Sequence, residues 1–416
     1  MMRQRLVLGR GASSALRNGT RLLGSYWIEA VLRLVYAVAI ARILGAEQFG
    51  VWSYILALYT FLIGITGFEI ELQIPLRLGR SRRQVAATVQ TFFAARVVLL
   101  ALAIAVLLLM AFATEPGITR TGILISAMAL IGRGLSLFAR SAFVGLERAE
   151  IVFKVTAIFR VLEVLAGLGL LILGLDILVL ITVHSLAWLC EGLVSVWLLQ
   201  THIQFLSARF DRRLIPIIVR RGLPLGAAAA FRQWLTSGPI LLLKLFVGDL
   251  AIVGKFALAQ QIAIVAVTSA RAFYSAALPI LSRAARRQDS TAKAFGFTTA
   301  LVSAGFFGTA AIIAFWIGPA IATMLFGKDF RLVGELFAPF MIVGGLMLAP
   351  VGYIQKSAAS AVFWPDSLST FVGALLLAVT MPWLTAVWGV WGAMAATLLA
   401  WLAVAVLAIV LSRRID

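Results

Sequence analysis

Charge is what this sequence has least of. Only 13% of its 416 residues are charged and 62% are hydrophobic, against roughly 25% and 45–50% in an average soluble domain. That deficit excludes a water-soluble enzyme, a disordered tail and a fibrous repeat. Acids are scarcer still, 17 against 36 Lys and Arg, which leaves a formal net charge of +19. Cysteine occurs once, at Cys190 inside an apolar run. A single cysteine excludes an intramolecular disulfide and reads as a small packed residue. Histidine occurs twice, at His184 and His202, and neither a metal cluster, a nucleophile motif nor a phosphate loop is present. Long polar stretches are missing too, so no folded extramembrane domain fits between the hydrophobic runs.

What the chain has instead is long apolar runs, such as 97–111 and 401–411. A membrane-spanning helix needs about 20 mostly apolar residues. Hydropathy predicts twelve such spans, near 20–43, 50–74, 88–112, 118–142, 151–174, 177–200, 222–246, 252–279, 294–317, 333–354, 366–385 and 388–411. The first follows a basic arm (Arg3, Arg5, Arg10, Arg17, Arg21) and is too long for a cleavable signal core. The expected fold class is therefore an all-α polytopic membrane protein.

The basic residues recur between the runs and do not form one patch with interleaved aromatics, so they point to membrane topology and not to nucleic acid. With a cytoplasmic N-terminus, 24 of them fall in inside segments. These are the arm; Arg77, Arg80, Arg82 and Arg83; Arg140, Arg148 and Lys154; the linker; Arg283, Arg286, Arg287 and Lys293; Lys356; and Arg413 and Arg414. Only five (Arg42, Arg120, Lys255, Lys328, Arg331) fall outside. That asymmetry predicts both termini on the cytoplasmic side of an inner membrane. The runs around Arg82 and Arg286 read as topology determinants in contact with anionic membrane lipid.

The two halves align at an offset of 204 residues: Gly50 meets Gly254, Pro75 meets Pro279, and Arg82-Arg83-Gln84 meets Arg286-Arg287-Gln288. The division expected is an N-terminal six-helix lobe at 1–200, a basic cytoplasmic linker at 201–221 and a C-terminal six-helix lobe at 222–416. Six helices per lobe make the repeats parallel, an arrangement used by some carriers.

The segment Ala41-Arg42-Ile43-Leu44-Gly45-Ala46-Glu47-Gln48-Phe49-Gly50 resembles the signature of bacterial polysaccharide exporters, and Gly67-Phe68-Glu69-Ile70 with Pro75 and Arg77 is similar to the next stretch of those proteins. These are the O-antigen and capsular oligosaccharide flippases of the multidrug/oligosaccharidyl-lipid/polysaccharide superfamily. The resemblance implies two six-helix bundles around a central cavity and alternating access. It also implies an undecaprenyl-diphosphate-linked oligosaccharide as the substrate for lipopolysaccharide or exopolysaccharide synthesis, with a polymerase complex as a candidate partner. The lipid II flippase branch carries two additional helices, so twelve spans set this chain apart from it.

Seven cations and five acids fall inside predicted spans. A mid-bilayer charge facing lipid costs roughly 2.5–3.5 kcal/mol on insertion scales, so these should face a wet cavity or one another. They lie on helical stripes: Tyr26, Glu29, Arg33 and Tyr36 in the first span; Ser126, Arg133, Ser136 and Arg140 in the fourth; Thr156, Arg160 and Glu163 in the fifth; His184, Trp188, Glu191 and Ser195 in the sixth. Six of the seven cations are Arg, which binds phosphate oxygens through a planar fork. Arg33, Arg96, Arg133, Arg160, Arg232 and Arg271 are thus the headgroup candidates, and Tyr26, Tyr36, Trp188 and Trp234 the sugar contacts. The competing reading for Glu29 with Arg33, and Arg160 with Glu163, is intrahelical ion pairing for packing. Lys244 reads as snorkelling to the interface and His184 as a packing residue.

Two other classes compete. A multidrug/cation antiporter of the same superfamily should line its cavity with acids and aromatics, and a membrane glycosyltransferase or polymerase should carry a sizeable outer loop. The chain reads as no enzyme and needs no cofactor beyond a coupling ion, Na⁺ or H⁺, for which Glu29 and Glu163 are the cavity-facing carboxylates.

Overall fold

The computed structural model describes residues 2–67, 70–80, 84–114, 116–276, 291–359 and 362–414. Side chains 2–23, 25–29, 72, 80, 221, 224, 269, 271–276, 291–294 and 358–359 lie outside that description. So do Glu69, Arg82, Arg83, Pro279, Arg283, Arg286 and Arg287. The chain is all-α, 93% helical and without strands among the described residues. In chain order the helices are α1 (Met2–Gly67), α2 (Ile70–Arg80), α3 (Val85–Ala113), α4 (Ile118–Gly145), α5 (Ala149–Ile172), α6 (Ile177–Ile203), α7 (Ile215–Val247), α8 (Leu250–Ala276), α9 (Thr291–Phe326), α10 (Arg331–Leu348), α11 (Val351–Ala359) and α12 (Trp364–Arg413).

Nine described helical stretches are long and apolar enough to cross a membrane, and α7 adds a tenth when its bent N-terminal segment is joined to it. Two of the nine are double. The helix α1 is interrupted at Gly45 (φ 83°) and α12 at Gly389 (φ 56°), left-handed backbone that costs glycine nothing. Division at these two glycines accounts for the expected twelve spans. The predicted second span also ends sooner than its hydropathy suggests, because a new helix, α2, begins at Ile70.

By contact the chain divides into two compact units. Unit 1 is Met1–Arg33 with Leu62–Gly226, and unit 2 is Leu34–Phe61 with Ala227–Asp416. The boundary at Gly226 falls just past the basic linker, while 34–61 group with the second unit and not with the first half of the sequence. The physical reason is visible in unit 2. A Cβ on Gly50 would lie 1.8 Å from the Leu250 carbonyl oxygen, and one on Gly254 would lie 2.3 Å from that of Ala46. The backbones therefore touch where side chains would have kept them apart.

Unit 1 packs α4 against α6 most closely, with α2 and α3 on α4 and α5 on α6. Its apolar core joins Ile74, Phe92, Phe138, Phe143, Leu199 and Phe205, and Phe93, Phe138 and Phe205 form an aromatic triangle with centroids 5.2–6.2 Å apart. In unit 2, α10 packs on α8 and α9, and α12 on α10 and α11.

Three cations at helix ends act on C-terminal carbonyls, where cations are favoured. Arg42 donates to Leu325 O (3.3 Å), Arg120 to Thr114 O (2.9 Å) and Lys244 to Gly248 O (2.8 Å).

Candidate functional site

The site grows from a close helix crossing in unit 1. A Cβ on Gly132 would stand 2.2 Å from the Trp188 carbonyl group, and one on Gly192 would stand 2.3 Å from Gly132 O. Backbone contact between α4 and α6 brings the polar stripe of each within reach of the other. Ser136, one turn beyond Gly132, donates to Glu191 Oε1 at 2.8 Å. The α5 stripe completes the cluster. Arg160 Nη2 donates to Glu191 Oε2 at 2.7 Å, its Nη1 pairs with Glu163 Oε2, and Thr156 Oγ1 reaches Glu191 Oε1 at 3.4 Å. Arg140 Nη2 donates to Thr156 Oγ1 at 3.1 Å. His184 Nδ1 meets Glu163 Oε1.

Over this ion network lies Trp188, with the guanidinium of Arg160 3.7 Å and that of Arg133 4.5 Å from its ring centroid. A desolvated cation–π contact contributes about 2 kcal/mol, so the indole holds both cations in place. Arg33 is exposed, yet close enough for its charge to act on Glu163 and His184. Among the described residues the cluster thus gathers four guanidiniums (Arg33, Arg133, Arg140, Arg160) around two carboxylates (Glu163, Glu191). Beside it, Ser136, Arg140, Thr156 and Ser195 line a void with room for about one water molecule. No group of three or more His, Cys, Asp or Glu side chains that could hold a metal forms among the described residues.

The sequence candidates separate into distinct settings. Arg133, Arg160, Glu163 and Trp188 come together, with Arg33 in electrostatic reach. Arg96 goes elsewhere in unit 1. Fully buried, it donates to Gly134 O (3.0 Å) and Thr66 O (3.1 Å) and pairs with Glu71 (3.0 Å), tying α1, α2, α3 and α4 together. Three candidates belong to unit 2. Arg232 is paired with Asp366, Trp234 packs on Phe61 at 5.3 Å, and Tyr36 is buried against Trp52 at 5.6 Å. The side chains of Tyr26, Glu29 and Arg271 lie outside the described residues. Trp188 is only 2% exposed and in contact with two cations, a setting that holds arginines and offers little face to a sugar. Glu191 and Arg140 join the cluster although neither is a headgroup candidate by sequence. Their signal is the stripe each occupies, since Glu191 comes after His184 and Trp188, and Arg140 after Arg133 and Ser136, at helical spacing.

Apolar spans of membrane length around a buried ionic cluster define a multi-pass membrane protein. The chain belongs to the polysaccharide biosynthesis protein family, whose model matches residues 15–285. Its fold is similar to that of a lipid II flippase, MurJ, in an inward closed conformation (TM-score 0.69, 12% identity, 94% of this chain and 86% of that one). It is also similar to a eukaryotic MATE transporter (0.64, 11%, 97% and 95%) and to an outward-facing multidrug resistance MATE family transporter of the MOP superfamily (0.64, 13%, 95% and 94%). No curated protein matches the chain in sequence.

Proposed function

We propose that this protein is a flippase that moves a lipid-diphosphate-linked oligosaccharide across the inner membrane by alternating access, for surface polysaccharide synthesis. In this reading both termini are cytoplasmic and the carrier lipid is undecaprenyl diphosphate. The observation that carries it is the gathering of Arg133 and Arg160 over Trp188 in the unit 1 cluster, with Arg140 on the same α4 stripe as Arg133. A diphosphate would find forked donors oriented by the indole there. The multidrug antiporter reading has the same fold in its favour and this concentration of arginine against it.

Arg33 and Arg133 are the arginines we assign to the headgroup, because one is exposed and the other half-buried, so a ligand can reach both. Arg160 is held by Glu163 and Glu191 and shapes the site from below. Glu163 is the carboxylate we assign to a coupling ion, H⁺ or Na⁺.

Replacing Arg133 by Ala should abolish surface polysaccharide while the protein still accumulates in the membrane. A charge-assisted hydrogen bond contributes about 1.5–3 kcal/mol, so loss of a bidentate pair weakens binding tens-fold or more. Lys at 133 restores charge without the fork and should rescue only in part. Full activity of Arg33→Ala and Arg133→Ala alike would sink the anionic-headgroup reading in favour of the antiporter.

A further inference from the structure

The basic linker is not a tether. Phe205, Leu214 and Ile218 are buried in the apolar core of unit 1. Its backbone is pinned as well: Asp211 N–H donates to Thr91 Oγ1 at 3.0 Å, and Leu206 N–H donates to Gln200 Oε1 at 2.9 Å. The face turned away from the core is unusual for one that meets water. Leu206, Phe210, Ile215, Ile217, Val219 and Leu223 are each 37–59% exposed. Between them stand Arg209, Arg212, Arg213 and Arg220, all exposed. Asp211 is the sole acid in the segment, and its carboxylate accepts the Arg213 N–H at 3.0 Å.

This combination fits one kind of surface. Arginine at such density does not sit at mid-bilayer. An acidic protein or a nucleic acid would satisfy the arginines but leave six apolar side chains in contact with polar groups. The boundary between headgroups and acyl chains satisfies both, with the apolar side chains dipping inward and the cations at phosphate level. We propose that residues 205–223 are a rigid interfacial foot of unit 1 that binds anionic phospholipid through Arg209, Arg212, Arg213 and Arg220.

Two measurements on the full chain test this. In a Cys190→Ala background, Ile217→Cys labelled with bimane is placed in vesicles of phosphatidylglycerol and phosphatidylcholine brominated near the headgroup. The label should be quenched by the brominated lipid and shielded from aqueous iodide. Quenching by iodide and not by lipid would overturn the proposal and point to a soluble partner instead. Native mass spectrometry then compares the wild type with the Arg209→Gln/Arg212→Gln/Arg213→Gln/Arg220→Gln variant, in which the buried anchors are intact. The preference for phosphatidylglycerol over phosphatidylcholine should fall by up to about a thousandfold at low salt, and the wild-type preference should fade as salt rises. Equal retention of phosphatidylglycerol by both proteins would exclude the arginines as the binding groups.

Discussion

The two units are built alike from long apolar helices, yet they bury different chemistry. Every buried Arg, His or Glu side chain among the described residues (Arg96, Arg140, Arg160, Glu163, His184, Glu191) belongs to unit 1. Unit 2 buries hydroxyls and an amide, among them Ser237, Gln260, Thr299, Thr385 and Thr397. Several of these hydroxyls donate to carbonyls three or four residues back on their own helix, as Thr299 and Thr397 do. The ion pairs described in unit 2 are not buried: Arg232–Asp366 has side chains 30% and 23% exposed, and Arg331–Glu335 has side chains 74% and 37% exposed. Among the described residues, then, one unit has an ionic interior and the other a neutral one. The consequence is local: the described core of unit 1 depends on charged partners, that of unit 2 on close packing.

The comparison is open to being broken. Its largest expected effect is on transport, where Arg133→Ala should abolish export and Arg232→Ala, whose charge is already neutralised by Asp366, should reduce it only partly. Equal losses in a polysaccharide export assay would erase the functional difference between the units. Next is stability. Glu191 is fully buried and accepts from Arg160, Ser136 and Thr156, so Glu191→Ala should destabilise by about 3–5 kcal/mol. The drop should be plain in thermal unfolding of the detergent-solubilised protein. Asp366→Ala should cost about 1 kcal/mol or less, as partly exposed pairs do. Should the two melting temperatures fall equally, burial of charge would not distinguish the units.

Smaller effects sharpen the point about packing. Gly132→Ala drives a methyl into the Trp188 backbone and should cost about 1–3 kcal/mol, with a matching loss of export because the α4–α6 crossing sets the reach of Ser136 to Glu191. Gly169→Ala on α5 meets nothing within 4 Å, and its better helix propensity should raise stability by up to about 1 kcal/mol. A drop in melting temperature at Gly169 would mean that an unseen neighbour covers that face.

Much of this was legible from residue order. Runs of apolar residues marked the spans, and the stripes on α4, α5 and α6 named nearly every member of the ionic cluster. What spacing could not reveal was what each stripe faces. Arg96 and Arg133 look equivalent as lone arginines in apolar runs. One is enclosed by the carbonyls of Thr66 and Gly134, the other lies over an indole, and only the neighbouring helix decides which. Glu191 is easily underrated for the same reason, since its three donors come from α4 and α5, 31 to 55 residues away. The grouping of 34–61 with unit 2 was hidden as well, because residue order does not say which backbones approach closely enough to need Gly50 and Gly254.

The seam at those two glycines is symmetric. Ala46 and Gly50 correspond, at the offset of 204 residues, to Leu250 and Gly254. Each glycine meets the carbonyl of the residue four before its counterpart. This is the pattern of an isologous contact, in which one surface is complementary to itself under a twofold operation, as between identical subunits. In a homodimer a mutation strikes both sides of such a seam at once. Here the two sides are separate codons on one chain, so each can drift alone, and the symmetry of the contact outlives the symmetry of the sequence around it.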